Sequence, residues 1–157
     1  MSAHGPEVLK AYQKASILIV CASRWEAAPF VEALSLQPDR REVFPFPVYQ
    51  SEDGWVLCLC GIGATLACIA TSSILAHCPT DSGRFLAANF GLAGADPGRW
   101  GVGTPLLVHR ITDQPSGRSS YPERGVRSEW AEAALETVPN PVWGRAESSK
   151  ARLYDME

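Results

Sequence analysis

The stretch Phe85-Leu-Ala-Ala-Asn-Phe-Gly-Leu-Ala-Gly-Ala-Asp96 decides the predicted fold. It opens as an apolar run rich in small residues, which is typical of a strand buried on both faces. It then breaks at Gly91 and Gly94, and small residues just past the carboxyl end of a buried strand let a ligand approach the backbone. We therefore predict a strand over Arg84–Phe90 that ends at a binding site.

Two other turns are predicted to reach the same place. Ala22–Glu26 follows a predicted strand over Ile17–Cys21, and Gly61-Ile62-Gly63 follows one over Trp55–Cys60. Because the carboxyl ends of parallel strands meet at one edge of a sheet, we expect the three turns to converge into a pocket floor. The last residues of the chain are expected to close that pocket.

The remaining elements alternate between strand and helix. Helices are predicted from Gly5-Pro6-Glu7, from Ser23 to about Leu34, over Ala64–His77 and from Ser128 to about Val138. Extended or loop segments are predicted over Glu42–Gln50 (an edge strand), Asp53-Gly54 (a hairpin turn), Thr104–Ile111 (a strand), Thr112–Gly125 (a surface loop) and Arg152–Tyr154 (the start of a strand). This order predicts a single α/β domain over residues 1–157, a three-layer domain with a mixed, mostly parallel central sheet.

Composition excludes several classes of partner. The chain has 157 residues, of which 46% are hydrophobic and 20% charged, and its formal net charge is -3. These values suit a soluble globular domain and disfavour nucleic acid or an anionic membrane as a partner. The apolar run Ile17–Ala22 is too short to span a bilayer or to act as a signal core, so we expect a cytoplasmic protein.

The cysteine and histidine pattern does not indicate a metal site. There are five cysteines, an odd number, mostly inside apolar runs, with no Cys-x-x-Cys spacing, and the three histidines are scattered. We expect buried, reduced thiols, no bound metal and no cofactor.

Gly61-x-Gly63 lies between a strand and a helix, like half of a dinucleotide-binding fingerprint. Leu66 stands at the third glycine position, and no acidic residue is well placed after the next strand. A tight turn is therefore favoured over a dinucleotide site. The helix that follows can still offer backbone N–H groups to a phosphate, a hydroxyl or a water.

Glu26 has two possible roles. Ser23 and Glu26 match a capping box, in which the carboxylate bonds the backbone of Ser23. Alternatively, Glu26 is a general acid or base at a strand end, in a pocket walled by Trp25, Phe90 and Met156, where burial would raise its pKa toward the working range.

Asp155-Met156-Glu157 also has two interpretations. Alternate residues of a strand point to opposite faces, so one carboxylate can face the pocket and accept two hydrogen bonds from a vicinal diol such as a ribose. Methionine provides a polarizable surface for a flat base. Alternatively, these residues form a solvated tail.

Four segments together resemble the nucleoside phosphorylase superfamily, and within it the nucleosidase branch of methylthioadenosine/S-adenosylhomocysteine nucleosidase and futalosine hydrolase. Ile17–Glu26 looks like the family's first strand and acidic loop, and Cys60-Gly61-Ile62-Gly63 looks like its Ser-Gly-Ile-Gly turn. Asn89–Gly94 looks like its Asn-x-Gly-x-Ala-Gly motif, and Tyr154–Glu157 like its Val-Glu-Met-Glu or Ala-Asp-Met-Glu motif.

This resemblance implies cleavage of the N-glycosidic bond of a purine-type nucleoside through an oxocarbenium-like transition state. By resemblance, Glu26 activates the attacking water, Met156 packs on base and ribose, and Glu157 holds the ribose hydroxyls. The segments that line the sugar and base map onto Ala22, Ile62, Gly63, Phe90, Gly91 and Leu92. The resemblance also implies a homo-oligomer with no metal or cofactor.

Three alternatives stay open. Glu26 would repel phosphate, which favours hydrolysis, but Arg24 keeps a phosphate-dependent phosphorylase possible. In the family, a later strand ends in a Ser-Asp pair whose aspartate protonates the purine, and this sequence ends at Glu157. We therefore expect a C-terminally incomplete domain, lacking the last strand and helices, with doubtful activity. The third alternative is a non-catalytic nucleoside-binding or assembly domain.

Overall fold

The computed structural model describes residues 12–41, 43–78, 85–123, 128–138 and 152–155. The chain divides into two compact units, one ending at Gly91 and the other beginning at Leu92. The prediction that both belong to one domain stays a prediction. Each unit has its own sheet, and the two are described separately.

The first unit contains a five-stranded mixed sheet. In chain order its strands are β1 (Ile17–Cys21), β2 (Gln37–Pro38), β3 (Val48–Gln50), β4 (Trp55–Leu59) and β5 (Leu86–Asn89). Their order across the sheet is β2-β3-β4-β1-β5. β1 pairs in parallel with β4 on one side and with β5 on the other, whereas the β2–β3 and β3–β4 pairs are antiparallel. The three parallel strands β4, β1 and β5 therefore have their carboxyl ends at one edge.

Two helices cover opposite faces of this sheet. Alternate residues of β1 separate, since Leu18 and Val20 belong to the core under helix α2 (Ala64–Leu75), while Ile19 and Cys21 belong to the core under helix α1 (Arg24–Ala33). β4 alternates in the same way. Strands with both faces buried read as continuous apolar runs, as β1 and β4 do. The predicted three-layer α/β arrangement with a mixed sheet is confirmed.

The turn between β3 and β4 packs against the start of β1. Gly54 has a φ of +87°, a backbone conformation that favours glycine. A Cβ at this position would lie 2.5 Å from the carbonyl oxygen of Lys14. The Gly54 carbonyl in turn accepts a hydrogen bond from the Ser16 N–H at 2.9 Å. The predicted Asp53-Gly54 hairpin turn is therefore present, and it needs glycine for close approach as well as for φ.

A charged cluster joins the 3₁₀ turn Tyr12–Lys14 to the segment after β2. The carboxylate of Asp39 accepts hydrogen bonds from the Tyr12 hydroxyl and from the Arg41 Nε and Nη2, the last two at 2.6 and 2.8 Å. Burial acts to raise the pKa of Asp39, but the bonds from Arg41 and Tyr12 outweigh it, so that pKa lies below its usual value. Burial and the Asp39 hydrogen bond raise the pKa of Tyr12.

The second unit has a four-stranded sheet with the order β7-β6-β8-β9. Its strands are β6 (Leu106–Asp113), β7 (Ser119–Ser120), β8 (Ala131–Thr137) and β9 (Arg152–Asp155). β8 pairs in parallel with both β6 and β9, and β7 returns antiparallel beside β6. A register shift interrupts the β6–β8 ladder between Val108 and Arg110.

Two predictions about this region are wrong. The segment from Ser128 to about Val138 is predicted as a helix from its Ser128 cap and the spacing of its apolar residues, but Ala131–Thr137 is a strand. Helix propensity differs by only about 0.7 kcal/mol per residue among ordinary residues, and β8 forms backbone ladders on both edges. The predicted loop Thr112–Gly125 contains a hairpin, since β6 continues to Asp113 and pairs with β7.

The other predicted elements agree in type and differ at their ends. Helix α2 ends at Leu75 rather than His77. The predicted edge strand or extended segment over Glu42–Gln50 contains β3 at Val48–Gln50, which lies between β2 and β4 rather than at the edge of the sheet. The predicted helix at Gly5-Pro6-Glu7 lies outside the described residues. All five cysteines are free, and four of them are buried, but Cys68 on α2 is exposed. Among the described residues, the helices are too short or too polar to cross a membrane.

Candidate functional site

Three chain segments leave the first unit's sheet side by side. The backbone N–H of Cys60, just past β4, donates to the carbonyl of Cys21 at the end of β1, at 2.9 Å. The N–H of Phe90, just past β5, donates to the carbonyl of Val20 at 2.9 Å. The structure therefore places Ala22, the turn Gly61–Gly63 and the Phe90–Gly91 segment at one edge, with the β1 segment in the middle.

Glu26 lies in the first turn of α1, directly after β1. Ser23 is the N-cap, and Glu26 Oε2 accepts hydrogen bonds from the Ser23 backbone N–H at 2.8 Å and from its hydroxyl at 3.0 Å. The backbone N–H of Glu26 donates to the Ser23 hydroxyl oxygen at 3.4 Å, which completes the predicted capping box. The carboxylate is half-buried, so it is held in place and remains within reach of solvent.

The turn Gly61–Gly63 leads from β4 into α2 in a conformation that needs glycine. Gly61 has a φ of +86° and Gly63 a φ of +112°, both in the left-handed region. Gly63 is the N-cap of α2 and provides no side chain to bond the first N–H groups of the helix. A Cβ on Gly61 would lie 3.0 Å from Leu66 Cδ1, whereas a Cβ on Gly63 would meet nothing within 4 Å. The backbone at Gly63 is thus open on the side where a side chain would stand.

Phe90 is held against the helix that carries Glu26. Its ring lies 4.7 Å from the ring of Phe30, centroid to centroid, at an interplanar angle of 53°. Phe30 is four residues after Glu26 on α1, and residues at that spacing share a helix face. Phe30 was not singled out in the sequence, although its spacing from Glu26 could have indicated it. This contact places the Phe90 segment beside the face of α1 that Glu26 occupies.

Large apolar side chains are exposed in residues 22–26 and in the Gly61–Gly63 turn. Trp25 next to Glu26 is 87% exposed, and Ile62 between the two glycines is 60% exposed. Trp25 is predicted to wall a pocket with Phe90 and Met156, and this stays a prediction. Leu92, 75% exposed, is the first residue of the second unit. Met156 and Glu157 lie outside the described residues, so their predicted contacts stay predictions.

The carboxyl edge of the first unit's sheet carries few charged side chains. Within residues 22–26, 60–63 and 89–91, Arg24 is the one cationic side chain and Glu26 the one carboxylate. Among the residues that the structure describes, no group of three His, Cys, Asp or Glu side chains is arranged to hold a metal ion. The arrangement can position a single carboxylate beside a turn of exposed backbone, which suits activation of a water molecule next to an uncharged ligand.

Three cysteines lie under this edge. Cys58 and Cys60 belong to the core between the sheet and α2, and Cys21 to the opposite core. Burial raises the pKa of the Cys58 thiol to about 12, and the neighbouring Cys60 and Cys21 add to the effect. The Cys60 thiol donates toward the Cys21 carbonyl at 3.3 Å and the Gly61 carbonyl at 3.1 Å. No separate role for this thiol is predicted from the sequence.

Comparison with known proteins gives matches only among solved structures. No protein-family model matches the sequence. No curated protein matches it significantly either.

An MTAN variant from Chlamydia trachomatis bound to MTA is 21% identical, with a TM-score of 0.64 over 90% of this chain and 69% of that one. A futalosine hydrolase mutant of Helicobacter pylori is 15% identical, with a TM-score of 0.65 over 90% of this chain and 77% of that one. The uridine phosphorylase of Schistosoma mansoni in complex with thymine is 12% identical, with a TM-score of 0.60 over 94% and 70%.

These similarities match the resemblance that the motifs of the sequence indicated. They include nucleosidases, a futalosine hydrolase and a phosphorylase, which share one architecture. At such identities the comparison establishes architecture alone. This chain has the fold of the nucleoside phosphorylase and nucleosidase superfamily.

Proposed function

We propose that this chain hydrolyses the N-glycosidic bond of a purine-type nucleoside, with Glu26 as the general base. The observation that carries the proposal is the position of the Glu26 carboxylate. It stands at the carboxyl end of β1, held by two hydrogen bonds from Ser23 and flanked by the Gly61–Gly63 turn. Ligands of open α/β sheets bind at this edge.

In the proposed reaction, Glu26 takes a proton from a water molecule as that water attacks the ribosyl carbon. A bond forms between the water oxygen and that carbon as the bond from the carbon to the base nitrogen breaks, and the base leaves with the bonding electrons and takes up a proton from bulk water. The ribosyl carbon passes through an oxocarbenium-like state. A positioned general base contributes typically 10²–10⁴-fold to such a step.

The binding roles of the other residues belong to the same proposal. The segments containing Ala22, Ile62, Gly63, Phe90, Gly91 and Leu92 would line the sugar and the base. Met156 would pack on base and ribose, and Glu157 would accept hydrogen bonds from the ribose hydroxyls. The similarity to an MTAN bound to MTA and to a futalosine hydrolase supports a purine-type nucleoside as substrate. A cytoplasmic location and a homo-oligomer are part of the proposal.

The test is release of free base by the full chain. Methylthioadenosine, futalosine and uridine are incubated separately with the protein, without phosphate, and free base is measured chromatographically. We expect release from a purine-type nucleoside, and a loss of at least about 100-fold in Glu26→Gln. Glu32→Gln is the matched control, because Glu32 is an exposed glutamate on the same helix. Equal activity in Glu26→Gln and the parent would overturn the role of Glu26.

Phosphorolysis is the second candidate, favoured by Arg24 beside Glu26 and by the similarity to a uridine phosphorylase. It requires that added phosphate accelerates base release and that ribose 1-phosphate appears. Phosphate-independent release with free ribose as product supports hydrolysis. Nucleoside binding measured by calorimetry, without any base release, contradicts both reactions and supports a non-catalytic binding domain.

A further inference from the structure

We infer that the Cys60 thiol is a positioning group. It couples the segment 22–26, which carries Glu26, to the Gly61–Gly63 turn. The kinetic consequence of this coupling rests on the proposed function. Its structural consequence rests on the geometry of the strand ends.

Cys60 makes two different contacts with the end of β1. Its backbone N–H donates to the Cys21 carbonyl at 2.9 Å, which extends the β1–β4 pairing by one residue. Its Sγ lies 3.3 Å from the same oxygen. One carbonyl at the end of β1 is therefore approached by two donors from the residue that follows β4. The next residues along the chain from this carbonyl are Ala22 and the N-cap Ser23.

The same sulfur also lies 3.1 Å from the Gly61 carbonyl. Gly61 has a left-handed φ and begins the turn into α2. A thiol has one hydrogen, so Cys60 shares it between the last carbonyl of β1 and the first carbonyl of this turn. The thiol is consequently a link between the two segments that carry the candidate site.

Burial makes the link effective. Cys60 is 7% exposed and packs in the core under α2 together with Cys58. Water has little access to compete for the shared hydrogen. Small displacements of catalytic groups lower rates steeply, so loosening either turn is expected to affect catalysis more than it affects folding.

The chain provides a matched control. Cys58 is also buried and packs in the same core, but it lies within β4, one residue before the strand ends, whereas Cys60 follows the strand. Cys58→Ala removes a sulfur from that core without removing the link. Cys60→Ala removes the link, and Cys60→Ser restores a donor in the same position.

The experiment combines hydrogen exchange with kinetics on the full chain. We expect Cys60→Ala to increase amide exchange at least fivefold in both the 22–26 and the 61–66 segments, and Cys58→Ala to leave both segments within twofold of the parent. For base release, Cys60→Ala is expected to lower kcat about tenfold or more with little change in KM, and Cys60→Ser to regain most of the loss.

The outcomes separate the inference from the function. If the parent releases no base but the exchange pattern holds, the proposed function fails and the link stands. If the parent is active and Cys60→Ala leaves exchange in both segments unchanged, the link is overturned while the function stands. Equal exchange changes in Cys60→Ala and Cys58→Ala also overturn it, because they would reflect lost packing alone.

Discussion

The Oε2 atom of Glu26 accepts hydrogen bonds from both the backbone N–H and the hydroxyl of Ser23, at 2.8 and 3.0 Å. One pair of residues therefore begins helix α1 and orients the carboxylate proposed as the general base. A capping interaction and a catalytic role are compatible here, because the cap holds the side chain at the carboxyl edge of the sheet. The two roles can be separated by substitution.

Ser23→Ala removes the capping hydroxyl and leaves the backbone donor to Glu26 in place. We expect a loss of about 1 kcal/mol in the free energy of unfolding, together with a severalfold fall in kcat because the carboxylate loses one of its two Ser23 donors. Urea unfolding and base-release kinetics measure the two effects. Ser72→Ala, at an exposed position within α2, is the control and should change stability by roughly 0.5 kcal/mol or less. Unchanged stability in Ser23→Ala would contradict the capping role.

Gly54→Ala and Gly63→Ala separate the effect of a steric clash with neighbouring atoms from the effect of backbone strain. Both glycines have positive φ, but a Cβ at Gly54 would lie 2.5 Å from the Lys14 carbonyl oxygen and a Cβ at Gly63 would meet nothing within 4 Å. We expect Gly63→Ala to lose about 1–2 kcal/mol through strain alone, and Gly54→Ala to lose more. Thermal unfolding midpoints measure the difference, and a larger loss in Gly63→Ala would contradict it.

Asp39→Asn tests the Tyr12–Asp39–Arg41 cluster. The folded pKa of Asp39 lies below its ordinary value of 3.8, so the carboxylate contributes stability that is present above pH 3.8 and is lost as the pH falls through the lower folded value. We expect Asp39→Asn to lose about 2 kcal/mol at pH 7, because Arg41 is left without its anion. The difference from the parent should shrink below pH 3.8. Asp53→Asn, in an exposed turn, should show no comparable loss.

The buried Cys58 thiol should weaken the fold at high pH. Its pKa is about 12 when folded and 9.0 ordinarily, so between these values the unfolded state loses the proton and the folded state keeps it. Stability therefore falls as the pH rises above 9, by about 1 kcal/mol from this thiol at pH 10. Tyr12, whose pKa is also raised, acts in the same direction. Urea unfolding at pH 8 and pH 10 measures the slope, and Cys58→Ala should reduce it.

The proposed association of copies can be tested on helix α2. Leu66 and Ile69 on this helix are 48% and 51% exposed, an apolar surface that a second copy would cover. We expect Ile69→Glu to shift the protein toward monomer in sedimentation velocity. Ala28→Glu places the same charge on an exposed position of α1 and should leave the distribution unchanged. If the unsubstituted protein stays monomeric in sedimentation velocity over a series of protein concentrations, the association is contradicted.

The first unit could be predicted from sequence because its signals are local. β1 and β4 are continuous apolar runs, Ser23 and Glu26 form a capping box, and glycines mark the turns after β4 and after β5. Each of these features follows from residues close together in the chain. The layer arrangement then follows from alternation of strands and helices.

The second unit could not be predicted equally well because its decisive contacts are distant. Ala131–Thr137 has the composition of a helix and becomes β8 through pairing with β6 and with β9, whose residue Arg152 is 18 positions from its partner Ala134. β2 and β7 have two residues each, too few to give a periodic signal. In the candidate site, the capping box was predictable because Ser23 and Glu26 are close in the chain. The Phe30–Phe90 ring contact and the Cys60 thiol link were not, because they depend on how segments from separate parts of the chain are aligned.

The double pairing of β1 has a consequence for how this chain can change in length. Its five residues alternate between two helix-covered cores while hydrogen-bonding to β4 and to β5. Deleting one residue within it would send each later side chain to the opposite face and misalign two ladders at once. Insertions and deletions should therefore be confined to the connections between elements, where added chain length costs little.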